Sequence, residues 1–407
     1  MDYPSAELRR VVRRVGASSV AAPSLERLVG GAVVETARGP ILAVRRVYHI
    51  EHRYGALSLR TALQASAEVL SLVSRGGEGA PAADRLLYLD TETTGLAGGT
   101  GTYIFLVGAG FFAGETFVVE QYFMRDLDEE PALLAALEAL LPRFQGLVTY
   151  NGRAFDLSLL ETRFILSRRA WPTDLWQLDL LHPARRLWGI RLPDCRLVTL
   201  EAEVLGWKRR DDVPGSLIPA LYFEYLRRRQ LGALPRVFDH NRQDVLSLVA
   251  LTGWVARALS EPEGLHLSGA EYGGLGRLWE PRSCERARHC YRAALHRELP
   301  TRERERLLLR LAALAKRRAR WEEACALWET AIAGTGEFNI RPWEELAKYY
   351  EHARRDIPVA RRVVTDALSR AQADGARPVA LHALTRRLAR LTRRLARVAG
   401  SESDPRH

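Results

Sequence analysis

The hydrophobic period of this chain changes once, and the change dictates two kinds of fold. Up to Ser260, apolar runs of strand length alternate with segments of helical period; beyond Glu261-Pro262-Glu263-Gly264 only the helical period remains. In the later part three stretches share a pattern: CERARHCYRAAL, WEEACALWETAI and IPVARRVVTDAL. Aligning Ala287, Ala324 and Ala360 gives separations of 37 and 36 residues. Tyr291, Trp328 and Val364 then fall four positions on, and Ala294, Ala331 and Ala367 seven positions on. Small residues at i and i+7 with a bulky one between let helices approach closely. A period in the middle thirties is that of helix-turn-helix repeats such as tetratricopeptide repeats. The partner helices align only with insertions, so an unrelated small helical bundle stays open. A last helix over 378–399 repeats Arg-Arg-Leu-Ala-Arg and spaces leucines at 384, 388, 391 and 395, an apolar face suited to capping a repeat stack.

The first part reads as α/β. Strand-like runs are Leu86–Leu89, Tyr103–Phe112, Phe117–Phe123 and Leu147–Tyr150, and Glu129–Leu141, Phe155–Arg168 and Arg236–Leu259 have helical period. Two long strands joined by Ala113-Gly114-Glu115 form a hairpin, so the sheet is expected to be mixed and flanked by helices. Residues 31–50 alternate around Arg38-Gly39-Pro40 and predict a second hairpin, and residues 176–230 read as helix and loop. With 407 residues, two or three folded units are expected. The boundaries are drawn as an N-terminal helix and hairpin region over 1–84, an α/β domain over 85–260 and a helical-repeat domain over 265–400.

Charge is distributed unequally between these parts. Residues 1–265 carry 31 basic and 31 acidic side chains, whereas 266–407 carry 29 and 18, so the whole excess of +11 lies in the helical third. A basic module beside a neutral one suits an enzyme that grips nucleic acid, although only three of the 60 basic residues are lysine and an arginine-rich composition also yields such a surface. A hydrophobic content of 47% speaks against disorder, and no run approaches 18 apolar residues, which speaks against a membrane span. Met1-Asp2-Tyr3-Pro4 lacks the basic-then-apolar order of a signal peptide, and the four cysteines (Cys195, Cys284, Cys290, Cys325) have no zinc spacing. A cytoplasmic protein with reduced thiols is the expectation.

The chemistry concentrates in acidic residues. In Leu87-Tyr88-Leu89-Asp90-Thr91-Glu92-Thr93-Thr94-Gly95-Leu96 an apolar strand ends in carboxylates at i and i+2, on one side of the strand. Two such charges about 4 Å apart repel by roughly 4 kcal/mol at protein-surface screening. A divalent cation between them relieves this, and hard oxygen ligands favour magnesium or manganese over zinc. Asp156 follows a strand and turn, Val148-Thr149-Tyr150-Asn151-Gly152-Arg153-Ala154-Phe155, at the start of a helix. Asp244 closes Phe238-Asp239-His240-Asn241-Arg242-Gln243-Asp244, on the first turns of an apolar helix. Taken singly, each acidic residue is as readily a solvated strand edge or a helix cap. Gly98-Gly99-Thr100-Gly101 lacks the Lys-Ser/Thr of a phosphate-binding loop and reads as a turn.

In this order the segments DTETTGL, NGRAFD and HNRQD resemble motifs I, II and III of the DEDD exonucleases, a ribonuclease H-like class. LHPARRLW, CRLVTLE and RRDDVPG-x-x-IP narrow the resemblance to the YprB-type group, that of mitomycin repair factor B. It covers residues 31 to about 258 and extends into the repeats. The resemblance implies a ribonuclease H-like sheet and a 3′→5′ exonuclease acting on DNA in repair. It makes Asp90, Glu92, Asp156 and Asp244 the ligands of two divalent cations, Mg2+ or Mn2+. Thr93, Thr94 and Leu96 are expected to contact the terminal nucleotide, and Asn151 either the substrate or Asp156. Related enzymes place a histidine five residues, or a tyrosine four residues, before the last aspartate. Here Asp239 stands at minus five and His240 at minus four, where it shares a helix face with Asp244. His240 is therefore expected to orient or deprotonate the attacking water, with Asn241 as the alternative site-facing residue. Asp179 reads as structural, and Asp211-Asp212 as salt-bridged to the basic loop Lys208-Arg209-Arg210. Arg185, Arg186 and Arg191 are candidate phosphate contacts, and Trp171, Trp176, Trp188 and Trp207 are assigned to the core. The partners expected are DNA with a free 3′ end and, through the repeats, a helicase or another protein. An RNA-directed nuclease, or a catalytically silent scaffold, is the competing reading.

Overall fold

The structure, a computed structural model, describes residues 24–74, 79–95, 99–172, 174–334 and 336–402. Leu96 and most of the N-terminal lead-in lie outside the described residues. The chain forms two compact units, divided between His266 and Leu267. Among the described residues no helix is long and apolar enough to cross a membrane.

The first unit is built on one mixed sheet. Its strands are β1 (Ala32–Thr36), β2 (Gly39–His49), β5 (Leu86–Thr93), β6 (Ile104–Ala113), β7 (Thr116–Phe123), β8 (Gly146–Thr149) and β9 (Trp176–Asp179); β3 (Arg53–Tyr54) and β4 (Leu57–Ser58) form a separate small ladder. The order across the sheet is β1-β2-β7-β6-β5-β8-β9. The pairs from β1 to β5 are antiparallel, and β8 and β9 run parallel to β5. The hairpin β1–β2 thus extends the same sheet rather than standing apart from it, because β2 pairs with β7 along Leu42–His49.

Central position explains the apolar run of β5. Leu86, Leu87, Tyr88 and Leu89 are at most 1% exposed, as expected of a strand covered on both faces, and exposure begins at Asp90 where the strand leaves that cover. The 27-residue helix Leu234–Ser260 lies across β5 and β6. Gly108 of β6, opposite Asp90, makes this approach possible: a Cβ there would stand 2.3 Å from Asn241 Oδ1. Helices Glu130–Leu140, Asp156–Leu166 and Ile218–Arg228 pack onto the core with the first turns of the long helix. Phe105 and Tyr222 stack there with centroids 3.9 Å apart.

Two local expectations are corrected. β9 lies in a stretch read as helix and loop; its four residues, Trp-Gln-Leu-Asp, contain no apolar run, and their strand form comes from pairing with β8. Asp244 is not on the first turns of its helix, which begins at Leu234 and places Asp244 in its interior. A helix dipole therefore has little part in holding this charge, since that effect is confined to the terminal turn.

The second unit is helical throughout: Gly269–Trp279, Cys284–Leu295, Thr301–Arg317, Trp321–Ala333, Ile340–Lys348, Ile357–Ala373 and Pro378–Glu402, each packed on the next. Ala287, Ala324 and Ala360 are fully buried, and Tyr291, Trp328 and Val364 are at most 2% exposed, so the recurring residues are the packing residues. Ala331 departs from its counterparts Ala294 and Ala367 in being only half-buried. Leu384 and Leu391 of the last helix are buried in one cluster that Leu388 and Leu395 also touch, while Arg386, Arg393 and Arg397 are exposed.

Candidate metal centre

Three elements bring the acidic residues together. Asp90 and Glu92 leave the end of β5 on one side, where the register against β6 shifts between Glu92 and Thr93. Such an irregularity re-aims side chains at a strand end. Asp156 is the first residue of its helix, reached through a turn in which Asn151 takes a left-handed conformation, φ 60°. Asp179 fixes that turn, its Oδ1 accepting from Asn151 N at 2.7 Å and Leu181 N at 3.0 Å, as a structural residue should. Asp244 and His240 come from one face of the long helix.

Ligand atoms of Glu92, His240 and Asp244 all lie within 4.8 Å of one another. His240 Nε2 is 3.5 Å from Asp244 Oδ2 and 4.0 Å from Glu92 Oε1, while its Nδ1–H donates to Asp212 Oδ1 at 2.8 Å. Asp90 and Asp156 stand around this trio, close enough for their charges to act on it. Each aspartate has one oxygen held by a protein donor. Asn241 Nδ2 donates to Asp90 Oδ2 at 2.8 Å, Thr91 Oγ1 donates to Asp156 Oδ1, and Arg209 Nη2 donates to Asp244 Oδ1. Asn241 is itself oriented by Gln121, whose Nε2 donates to its Oδ1 at 2.8 Å. Both weighed residues thus face the cluster, His240 as a lining residue and Asn241 as the donor that holds Asp90.

Electrostatics register the crowding. Burial, then the charges of Asp244, Glu92 and Asp156, hold the Asp90 carboxyl well above its ordinary range. Burial pushes Glu92 up to about 8, against the pull of His240 and with the repulsion of Asp244 and Asp156. Asp156 rises to about 6, mainly through burial, although Thr91 opposes this. His240 moves the other way for a base: burial disfavours its cation, but Asp212, Asp244 and Glu92 outweigh burial and raise it to about 9. Oxygen donors that repel one another and retain protons are what hard divalent cations neutralise, so the donor set fits magnesium or manganese.

A cleft of about 380 Å³ opens beside Glu92 and Asp156, lined among others by Thr93, Gly95, Phe155, Ser158 and Pro219. Phe155, which the sequence reading did not single out, is 52% exposed there, an unusual state for a large aromatic. Of the expected substrate contacts Thr93 lines the cleft, whereas Thr94 and Asn151 do not; Thr94 Oγ1 instead accepts from Tyr103 N at 2.9 Å. Trp188 is buried in the core as expected, while Trp207 is half-buried and stacks on Tyr54 at 4.5 Å. Arg185, Arg186 and Arg191 are exposed. Arg209, assigned only to a salt-bridged loop, does pair with Asp212 but also reaches Asp244. Its neighbours Lys208 and Arg210 are exposed, and nothing in a basic triplet marks the middle residue as buried.

Two comparisons with known proteins bear on the unit that carries this centre. Residues 87–256 match the RNase_H superfamily. The uncharacterized protein YprB of Bacillus subtilis (strain 168) is 32% identical over 332 residues, which cover 79% of this chain and 79% of that protein. The matched span takes in all four carboxylates, the strands from β5 to β9 and the part of the long helix that carries His240 and Asp244, and leaves out the hairpin β1–β2. The chain belongs to the YprB family, with an RNase H-like domain followed by a helical region.

Proposed function

We infer that this protein is a divalent-cation-dependent 3′→5′ exonuclease of the DEDD class, hydrolysing DNA phosphodiester bonds in repair. The observation that carries this reading is the convergence of Asp90, Glu92, Asp156 and Asp244 from a strand end, a helix start and a helix interior into one cluster, of which Glu92 and Asp156 line the cleft. Two cations, Mg2+ or Mn2+, would supply an activated water and positive charge to offset the charge developing on the phosphodiester. The chain's own part is to present oxygens. Asn241, Thr91 and Arg209 each hold one oxygen of an aspartate. His240, steadied through Nδ1 by Asp212, aims Nε2 into the cluster. As a cation below about pH 9 it would orient the water, and it would deprotonate the water only once bound cations offset the carboxylate charges that raise it. The cleft has the volume of a small-molecule site, and Phe155 offers a stacking face for a terminal base beside Thr93. Leu96 is a further proposed contact, while Thr94 and Asn151, which do not line the cleft, would act by shaping the turns beside it. The helical unit, read as tetratricopeptide-like repeats, is the module that grips the strand through its arginines or recruits a protein such as a helicase.

Product mapping tests the reading. Single- and double-stranded DNA and RNA labelled at the 5′ end are incubated with Mn2+, Mg2+ or chelator, with Asp90→Ala alongside. A metal-dependent ladder shortening DNA from its 3′ end, absent in the variant, is expected. A ladder on RNA alone would reassign the polymer, and no cleavage under any metal would leave a scaffold.

A further inference from the structure

Arg209 enters the site from behind the ligands, and its burial calls for a cause. Its side chain is 5% exposed, between the exposed Lys208 and Arg210. A guanidinium out of water is costly unless its N–H groups find acceptors. Here Nε donates to Glu201 Oε2 at 2.6 Å, Nη2 to Glu201 Oε1 at 2.5 Å and Nη1 to Asp212 Oδ2 at 3.2 Å, while Nη2 also donates to Asp244 Oδ1. Glu201 is fully buried, at the start of a π-helical turn over Glu201–Leu205 that Gly206 closes. Ser247 Oγ donates to Glu201, and Trp207 is pinned through Nε1 to Gln243 Oε1 at 3.2 Å. Both ends of the arginine's reach are therefore fixed: Glu201 anchors it, and Asp244 and Asp212 receive it.

We propose that Arg209, anchored on Glu201, is a positioning residue of the metal centre. It holds Asp244 by one oxygen and, through Asp212, sets the His240 ring, so that Asp244 Oδ2 and His240 Nε2 face Glu92. The inference rests on reading the four carboxylates as cation ligands. Two observations favour positioning over simple packing. The same device recurs at Asp90 and Asp156, where Asn241 and Thr91 each occupy one oxygen. The fork is also fully used: a guanidinium spans both oxygens of Glu201 together with two further carboxylates, which an ammonium cannot do.

The test uses the full chain and Mn2+ alone as probe, with binding followed by electron paramagnetic resonance. Arg209→Lys keeps the charge but loses the fork; Glu201→Gln combined with Arg209→Gln removes one charge of each sign. Both are expected to bind Mn2+ about 10- to 100-fold more weakly, the range for loss of a partner behind a metal ligand. The Mn2+ needed for half-maximal cleavage should rise in parallel, saturating Mn2+ should restore kcat, and KM for an oligonucleotide should stay unchanged. Wild-type Mn2+ affinity in a folded Arg209→Lys protein overturns the proposal. So does a loss of stability in both variants that saturating Mn2+ does not offset, which would make Arg209 a packing residue. Wild-type protein that binds no Mn2+, and is indistinguishable from Asp244→Asn, overturns the metal-centre reading and this inference with it.

Discussion

Protons and cations compete for the same oxygens, and the sign of that competition follows from individual residues. Asp90 is raised above its ordinary 3.8, Asp156 to about 6, Glu92 from 4.5 to about 8 and His240 from 6.5 to about 9. All four shifts are upward, so without a cation these four groups bind more protons in the folded chain than in the unfolded one. Their contribution to stability therefore falls as pH rises, from about pH 4 for the carboxyls and from about pH 6.5 for His240, until the raised values are passed near pH 9. A bound cation replaces those protons, so its stabilising effect should be small at pH 5 and grow toward pH 8.5. Thermal melting in chelator and in Mn2+ across that range measures the gap. About 2.7 kcal/mol is expected at 100 times the dissociation constant, and a gap independent of pH would contradict a carboxylate-held cation. His240→Ala separates ligand from base. Turnover should fall by about 10²- to 10⁴-fold, the usual contribution of a general base, while Mn2+ affinity stays within a few-fold; a collapse of affinity would make His240 a ligand. Asp90 and Glu92 stood out because i, i+2 spacing at the end of an apolar strand is visible in one dimension, whereas Asp156 and Asp244 joined them only through the order of the motifs that the resemblance supplies. Arg209 and Glu201 were not, because burial of one arginine in Lys-Arg-Arg is decided by acceptors brought from other elements.

Elements set these distances through backbone approach. The long helix crosses β6 at Gly108, and Asn241 fills the space a side chain would need in order to reach Asp90. Gly108→Ala should push Asn241 away, costing about 1–3 kcal/mol by overpacking and lowering activity by loosening Asp90. Gly114, in the hairpin between β6 and β7 at φ 59° with open space around it, provides the contrast. Gly114→Ala should cost about 1 kcal/mol through its left-handed backbone and leave the kcat of the folded enzyme unchanged. Urea unfolding and single-turnover rates on both variants decide; equal effects on kcat would mean that the helix approach does not govern the site. The strands with apolar runs and the long helix could be read directly. β9 could not, since pairing with β8 rather than its own composition makes it a strand, whereas the long helix, expected from Arg236 and found from Leu234, was legible to within two residues.

At the scale of the whole chain, function must be divided between a neutral catalytic unit and a basic helical one. The recurring alanines Ala287, Ala324 and Ala360 were legible because they stand where packing admits no larger side chain, each being fully buried. Which arginines serve packing and which face solvent was not, since Arg390 and Arg394 pair with the fully buried Glu351 whereas Arg386, Arg393 and Arg397 point to water on the same helix. If the helical unit grips nucleic acid, solvent-facing arginines release counterions on binding. Each phosphate contact then contributes about 0.7 to the slope of log affinity against log salt for a single strand. Replacing Arg386, Arg393 and Arg397 together by Gln should leave melting within about 1.5 kcal/mol of wild type, as surface changes of about 0.5 kcal/mol each. Binding of single-stranded DNA, measured in Ca2+ between 50 and 200 mM salt on the order used to resolve such slopes, should lose up to about 2 in slope if all three touch phosphate. The kcat at saturating substrate should be unchanged, because these residues are remote from the carboxylates in sequence and belong to the other unit. An unchanged slope would assign the basic face to a protein partner, and pull-down of an acidic partner by wild type but not by the triple variant would then be the expected result.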